Sequence, residues 1–221
     1  MDTAIGSRLL GQIEEVSLEE ILSEFRTSFK PPSRLKLTHI PALDALATTH
    51  LRNTQSQTIS LTGRSLPLVY KIVSTLISRP HSKALLIIDL DGRFDATRLD
   101  CDMNDLQHVY IRHPARSDPE HLRALVTESE HFMLYSEETQ ASRRREWWGT
   151  MVLGGLAAGD LTAGWKGWLK VERRAVPGFA MGVSVGEVLG QRGLRQKAVD
   201  EAGWVAESEW GAFEFCDGRG P

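Results

Sequence analysis

Two short stretches carry residue types that could hold a phosphate or a divalent cation. The first is Thr62-Gly63-Arg64-Ser65, a glycine turn after the β-type run Thr58-Ile-Ser-Leu61 and before an apolar helical stretch, Leu66 to Ser78. A loop there wraps a phosphate when glycines let several backbone N–H groups point inward and a Lys-Ser/Thr pair follows. Here that pair and the second glycine are absent, and Pro67 removes a donor where donors are needed. Lys71 lies about a helical turn further on, poorly placed to point back at a ligand. The second stretch is Asp89-Leu-Asp91-Gly92. Carboxylates at the carboxyl end of a buried strand stand where α/β sheets bind ligands; the plainer reading, which the pattern favours, has them as caps of a solvated turn. Were magnesium to be held at this edge, a further carboxylate for its water shell would be needed nearby; Thr150-Met-Val-Leu153 instead runs into Gly154-Gly155, and Asp160 is too far along to serve. The residues thus mark a vestigial ligand edge at Thr62, Gly63, Arg64, Ser65, Asp89 and Asp91, with no catalytic residue assigned and no cofactor expected.

Other chemical signals are weaker. Arg143-Arg144-Arg145 followed by Trp147-Trp148 could hold nucleic-acid phosphates and stack on unpaired bases. Glu137, Glu138 and Glu146 dilute that field, and the same residues read equally as a solvated helix face with core tryptophans. Gly182-Val-Ser-Val-Gly186 imitates a nucleophile elbow, yet no histidine follows His131 to serve as its base. His108, His113, His121 and His131 match no metal-ligand spacing, so no metal site is assigned. Cys101 and Cys216 are far apart and fit a reducing compartment better than a disulfide framework.

The elements that must position these groups alternate. Leu43 to Leu51 reads as a short helix, then strand Thr58–Leu61, helix Leu66–Ser78, and the continuously apolar strand Ala84-Leu-Leu-Ile-Ile-Asp89, patterned for burial on both faces. A short helix Phe94–Leu99 and a strand His108–Ile111 follow. Ser117-Asp-Pro-Glu-His opens a long helix with Asp118 as cap. Ser142–Trp148 reads as an arginine-rich helical piece, and Thr150–Leu153 as a buried strand. This order predicts a mostly parallel sheet covered by helices.

In the last third, Trp165 and Trp168 sit among glycines, and Phe179–Val185 alternates. Glu187–Ala202 reads as one helix stopped by Gly203. Trp204–Trp210 and Gly211–Phe215 read as a terminal β-hairpin with one wet face. Six tryptophans suit either a partner surface or an aromatic-packed sheet face. At the other end, Ser17-Leu-Glu-Glu20 is a capping box leading an amphipathic helix from about Leu18 to Ser28, closed by Pro31-Pro32. Residues 1–35 therefore read as an arm, or simply as a first helix, ahead of a core spanning 36–221.

The bulk numbers restrict the partners. A chain of 221 residues, 41% hydrophobic and 25% charged, suits one globular domain with a short extension. A net charge of -3 argues against bulk attraction to nucleic acid while allowing a local basic patch. Met1–Leu10 does not read as a signal peptide, and no run of about 18 apolar residues suggests a membrane span.

Four segments resemble the eukaryotic RecA-type recombinase paralogues. Leu85-Leu-Ile-Ile-Asp89-Leu-Asp91-Gly-Arg-Phe94-Asp-Ala-Thr-Arg-Leu99 looks like their second-strand motif, closest to the X-ray-repair cross-complementing protein two branch. Thr38-His-Ile-Pro-Ala-Leu-Asp-Ala-Leu46 resembles the segment before their first core strand. Gly164-Trp-Lys-Gly-Trp-Leu-Lys-Val-Glu-Arg173 and Phe213-Glu-Phe215-Cys216 are similar to later stretches of that branch. The resemblance runs from about Thr38 to Cys216, and only the Leu85–Leu99 block is specific. It implies a RecA-like three-layer α/β fold and a nuclear role in homologous recombination, within a complex of other recombinase paralogues and in contact with single-stranded or branched DNA. ATP with magnesium is the cofactor the family would supply. The chain departs from the pattern at the phosphate loop, at the acid after the fourth strand, and in a later strand–helix unit that is short. A non-catalytic role fits these departures. A DNA-dependent ATPase with an atypical loop and an unrelated α/β interaction protein remain as alternatives.

Overall fold

In the computed structural model the described residues are 35–114, 118–155, 159–176, 178, 182 and 184–216. The compact unit that holds them runs Leu35–Pro221. The helix expected at Leu18–Ser28 and most of the alternating run Phe179–Val185 lie outside the described residues.

The chain enters α1 (Pro41–Thr54), with proline at the first helical position and Asp44 holding the lead-in. Strand β1 (Ile59–Gly63) passes directly into α2 (Leu66–Ile77), whose Leu68, Val69, Ile72, Val73, Leu76 and Ile77 are all buried. Then come β2 (Ala84–Asp89), buried along its whole length, a 3-10 turn at Ala96–Arg98, α3 (Met103–Leu106) and β3 (Val109–Arg112). Asp118 caps α4 (Pro119–Tyr135) by accepting from the His121 N–H at 2.9 Å. A 3-10 turn at Glu137–Ser142 leads to β4 (Trp147–Leu153), β5 (Leu161–Ala163) and β6 (Leu169–Arg173). Helices α5 (Val185–Gly190) and α6 (Arg192–Glu201) precede the hairpin β7 (Trp204–Ser208) and β8 (Gly211–Phe215).

The strands form one eight-stranded sheet in the order β3-β2-β4-β5-β1-β6-β7-β8. Pairing is parallel from β3 through β6, and β7 alone runs antiparallel to its two neighbours. The fold is therefore α/β with a mostly parallel mixed sheet and a C-terminal antiparallel hairpin. Alternate residues of β2 feed two cores. Leu85 and Ile87 face α1 and α2, with Leu43, Ala47 and Leu68. Ala84, Leu86 and Ile88 face α4, with Leu122 and Met133.

Two expectations are corrected, and two strands are added. Ser142–Trp148 is not helical. The helical turn ends at Ser142, and Trp147 already belongs to β4, because the two indoles point to opposite faces and fill both cores. The helix expected over Glu187–Ala202 is two helices broken at Gly190-Gln191, where glycine lowers helix stability. Strands β5 and β6 were unanticipated: among the described residues no helix intervenes between β4, β5 and β6.

Candidate functional site

The carboxyl ends of the parallel strands gather the expected ligand-edge residues. Only Arg64 and Ser65 lie between β1 and α2. Gly63 adopts φ 77, and a β-carbon there would sit 2.5 Å from the Val171 carbonyl oxygen of β6. The Arg64 N–H donates to that same oxygen at 2.8 Å. The Thr62 hydroxyl donates to the Trp165 carbonyl at 3.2 Å. Ser65 is already in helical geometry and its hydroxyl caps nothing. The turn is thus drawn onto β6 and its first amide is engaged within the sheet. A loop that encircles phosphate needs several free amides and enough chain to surround it.

Asp89 ends β2 with 1% of its surface exposed. Its Oδ2 accepts from the Phe94 N–H at 2.7 Å, and its Oδ1 is buried without a hydrogen-bond partner. The His113 Nδ1 lies 3.3 Å from the Asp89 carbonyl oxygen and 3.8 Å from Oδ2. Asp89 therefore closes the loop 90–94 over the strand end. Tyr70 of α2 fixes the next step by accepting the Asp95 N–H at 3.0 Å. Asp91 is half-exposed, with Arg93 at 4.0 Å. Its carboxylate lies over Gly154, at the end of β4: a β-carbon on Gly154 would be 2.5 Å from Asp91 Cγ. A carboxylate from the β2 loop thus stands at the end of β4, where the strand itself has none. Since β4 and β5 separate β2 from β1, the two halves of this edge are about 14 Å apart at the usual strand spacing.

The arginine–tryptophan run lies at the opposite edge, its arginines just before β4 and its tryptophans opening that strand. Arg143 and Arg144 are exposed. Arg145 is committed to the fold: its Nη1 donates to the Ile77 carbonyl at 2.7 Å and its Nη2 to Asp105 Oδ1 at 2.6 Å. Trp147 is half-buried, donates to the Gly149 carbonyl at 3.1 Å and lies under the Lys36 ammonium. Trp148 is buried and donates to the Leu37 carbonyl at 2.8 Å. Asp160 also belongs to this edge, where it pairs with Lys36 at 2.8 Å and accepts the Thr150 N–H at 3.0 Å. Beside it, Lys36, Gln57, Thr58, Ile59 and Trp148 line a small cavity.

Most of the tryptophan surface is packed rather than displayed. Trp204 is buried, and Trp168 and Trp210 enclose the buried His50 ring, with centroids 4.4 and 4.8 Å away. Trp165, 69% exposed, is the exception, with the Lys166 ammonium 4.3 Å from its ring. Among the described residues, no group of three or more His, Cys, Asp or Glu side chains could hold a metal ion, and no helix is long and apolar enough to cross a membrane. No family model matches the chain, and neither a curated protein nor a solved structure matches it.

Proposed function

We propose that the chain is a non-catalytic RecA-type recombinase paralogue that assists homologous recombination through its surfaces, by binding other paralogues and, at the arginine pair Arg143-Arg144, DNA. The observation that carries the reading is the closed turn after β1. In a RecA-like sheet that turn is where the triphosphate sits; here it is two residues long and its amide is engaged by Val171. The sheet supports the RecA-like assignment by its interior first strand, its mostly parallel pairing and its terminal hairpin. Such a protein acts in the nucleus, as one subunit of a hetero-complex.

The direct test is affinity purification of the full chain from its own cells, with growth of a deletion strain on a DNA crosslinker. Recovery of recombinase paralogues and crosslinker sensitivity support the reading. Normal growth, with no paralogue recovered, replaces it with an unrelated α/β interaction protein.

One observation favours a second reading within the same family. Asp91 sits over Gly154 and could hold the water shell of magnesium in place of the absent β4 acid. Saturable magnesium-ATP binding, lost in Asp91→Asn and in Gly63→Asp, would favour an ATPase with an atypical loop, which ATP turnover by the same chain would then establish.

A further inference from the structure

His39 and His81 lie face to face, with ring centroids 3.7 Å apart and planes 13° from parallel. They come from different parts of the fold. His39 lies in the lead-in 35–40 ahead of α1, and His81 lies in the connection 78–83 between α2 and β2. Separate turns aim the two rings. His39 is held at φ 61, a region most residues avoid. Asp44 of α1 fixes it there, accepting from the His39 N–H at 3.0 Å and from the Thr38 N–H and hydroxyl at 2.8 and 2.7 Å. Opposite, the His81 and Ser82 N–H groups both donate to the Ser78 carbonyl at 3.0 Å.

Two imidazoles held this way could answer to a metal or to protons. A metal must lie in the plane of each ring it binds, along a nitrogen lone pair, and nearly parallel planes do not meet at one ion. Protons remain. Neutral rings stack; two imidazolium ions at this separation repel. Lys83, the charge that acts on His81 besides His39, is paired with Glu146 ahead of β4; Asp44 is engaged with the lead-in backbone, and Arg79, two residues before His81, is exposed. Burial, His39 and Lys83 all lower the pKa of His81 from its ordinary value.

We propose that the His39–His81 stack is an acid-released clasp that fastens the lead-in of the chain to the body of the domain. Closed, it joins the lead-in to the α2–β2 connection. Charge on both rings drives them apart and weakens the hold on residues 38–40. The Asp44 hydrogen bonds, the buried Ile40, the Lys36–Asp160 pair and the Trp148–Leu37 hydrogen bond then hold the lead-in without the stack.

The test is an NMR titration of the full chain from about pH 8 to about pH 5, with amide exchange read in parallel. His81 titrates below free histidine, and exchange at 38–40, corrected for its intrinsic pH dependence, rises about tenfold through that step. His39→Gln returns His81 toward its ordinary value and removes the rise. His81→Phe, which keeps a stacked ring without the proton, also removes it and covers the case in which the first variant does not fold. An unchanged His81 titration in His39→Gln, or exchange that does not follow the titration, overturns the clasp. So does stoichiometric zinc binding that shifts both rings.

Discussion

At the residue scale, the arginine run divides into two kinds of side chain. Arg145 and its partner Asp105 are mostly shielded from water, with side-chain exposures of 17% and 10%. Arg145→Ala leaves that carboxylate without its counter-ion and the Ile77 carbonyl without its donor. The expected loss is about 2–4 kcal/mol in urea unfolding. Arg143→Ala and Arg144→Ala, at exposed positions, stay within about 0.5 kcal/mol of the parent chain. The double variant is instead expected to weaken binding of a labelled single strand and flatten its salt dependence, read by anisotropy. Equal destabilisation by all three changes would refute this division. Gly63 gives a sharper case: Gly63→Ala meets both a positive φ and the Val171 carbonyl, so the expected loss is about 2–3 kcal/mol. The cysteines also differ. Burial first, then Asp105, Asp100 and Asp102, raise the pKa of the Cys101 thiol, while Cys216 is exposed. Maleimide should label Cys216 first, by mass spectrometry; faster labelling of Cys101 would contradict that environment.

At the element scale, legibility followed pattern length. Strand β2 was readable because six consecutive apolar or terminal positions have no other home than a doubly covered strand. The hairpin β7–β8 was readable because alternation and a glycine fix its register. Strand β5 was not, since Leu161–Ala163 is too short to show any period. Strand β6 did carry a signal, Leu169 and Val171 inward with Lys170 and Glu172 outward, hidden beside a tryptophan–glycine stretch. The candidate residues at the carboxyl strand ends could be named by type, and the structure places them there. The closure of Gly63 on Val171, and of Asp91 over Gly154, joins residues far apart in sequence and depends on the register of β6 and β4. The hairpin itself docks through Trp210 on His50 of α1. Trp210→Ala is expected to destabilise by about 1–3 kcal/mol and to speed amide exchange in β8 while β2 stays protected. Uniform acceleration across the sheet would mean that the hairpin is not a separable unit.

At the scale of the whole molecule, the histidines set an acid limit on stability. Burial lowers the pKa of His50, opposed by Glu209, and of His108, where Arg145 adds to burial and Asp105 opposes it. His81 moves in the same direction. A histidine whose folded pKa lies below its unfolded value binds more protons when the chain unfolds, so stability rises with pH. Stability is therefore full above the ordinary histidine pKa, near 6.5, and is lost as pH falls through it toward the lowered folded values. The urea midpoint should drop between about pH 7.5 and about pH 5.5, before most carboxylates titrate. His50 lies between Trp168 and Trp210, and the Nδ1 of His108 lies 2.8 Å from the Ser142 hydroxyl, so both substitutions also remove packing. The comparison is therefore of slopes. In the double variant His50→Gln, His108→Gln the midpoint starts lower but falls less steeply with acid. A slope as steep as that of the parent chain would place the acid sensitivity in other groups.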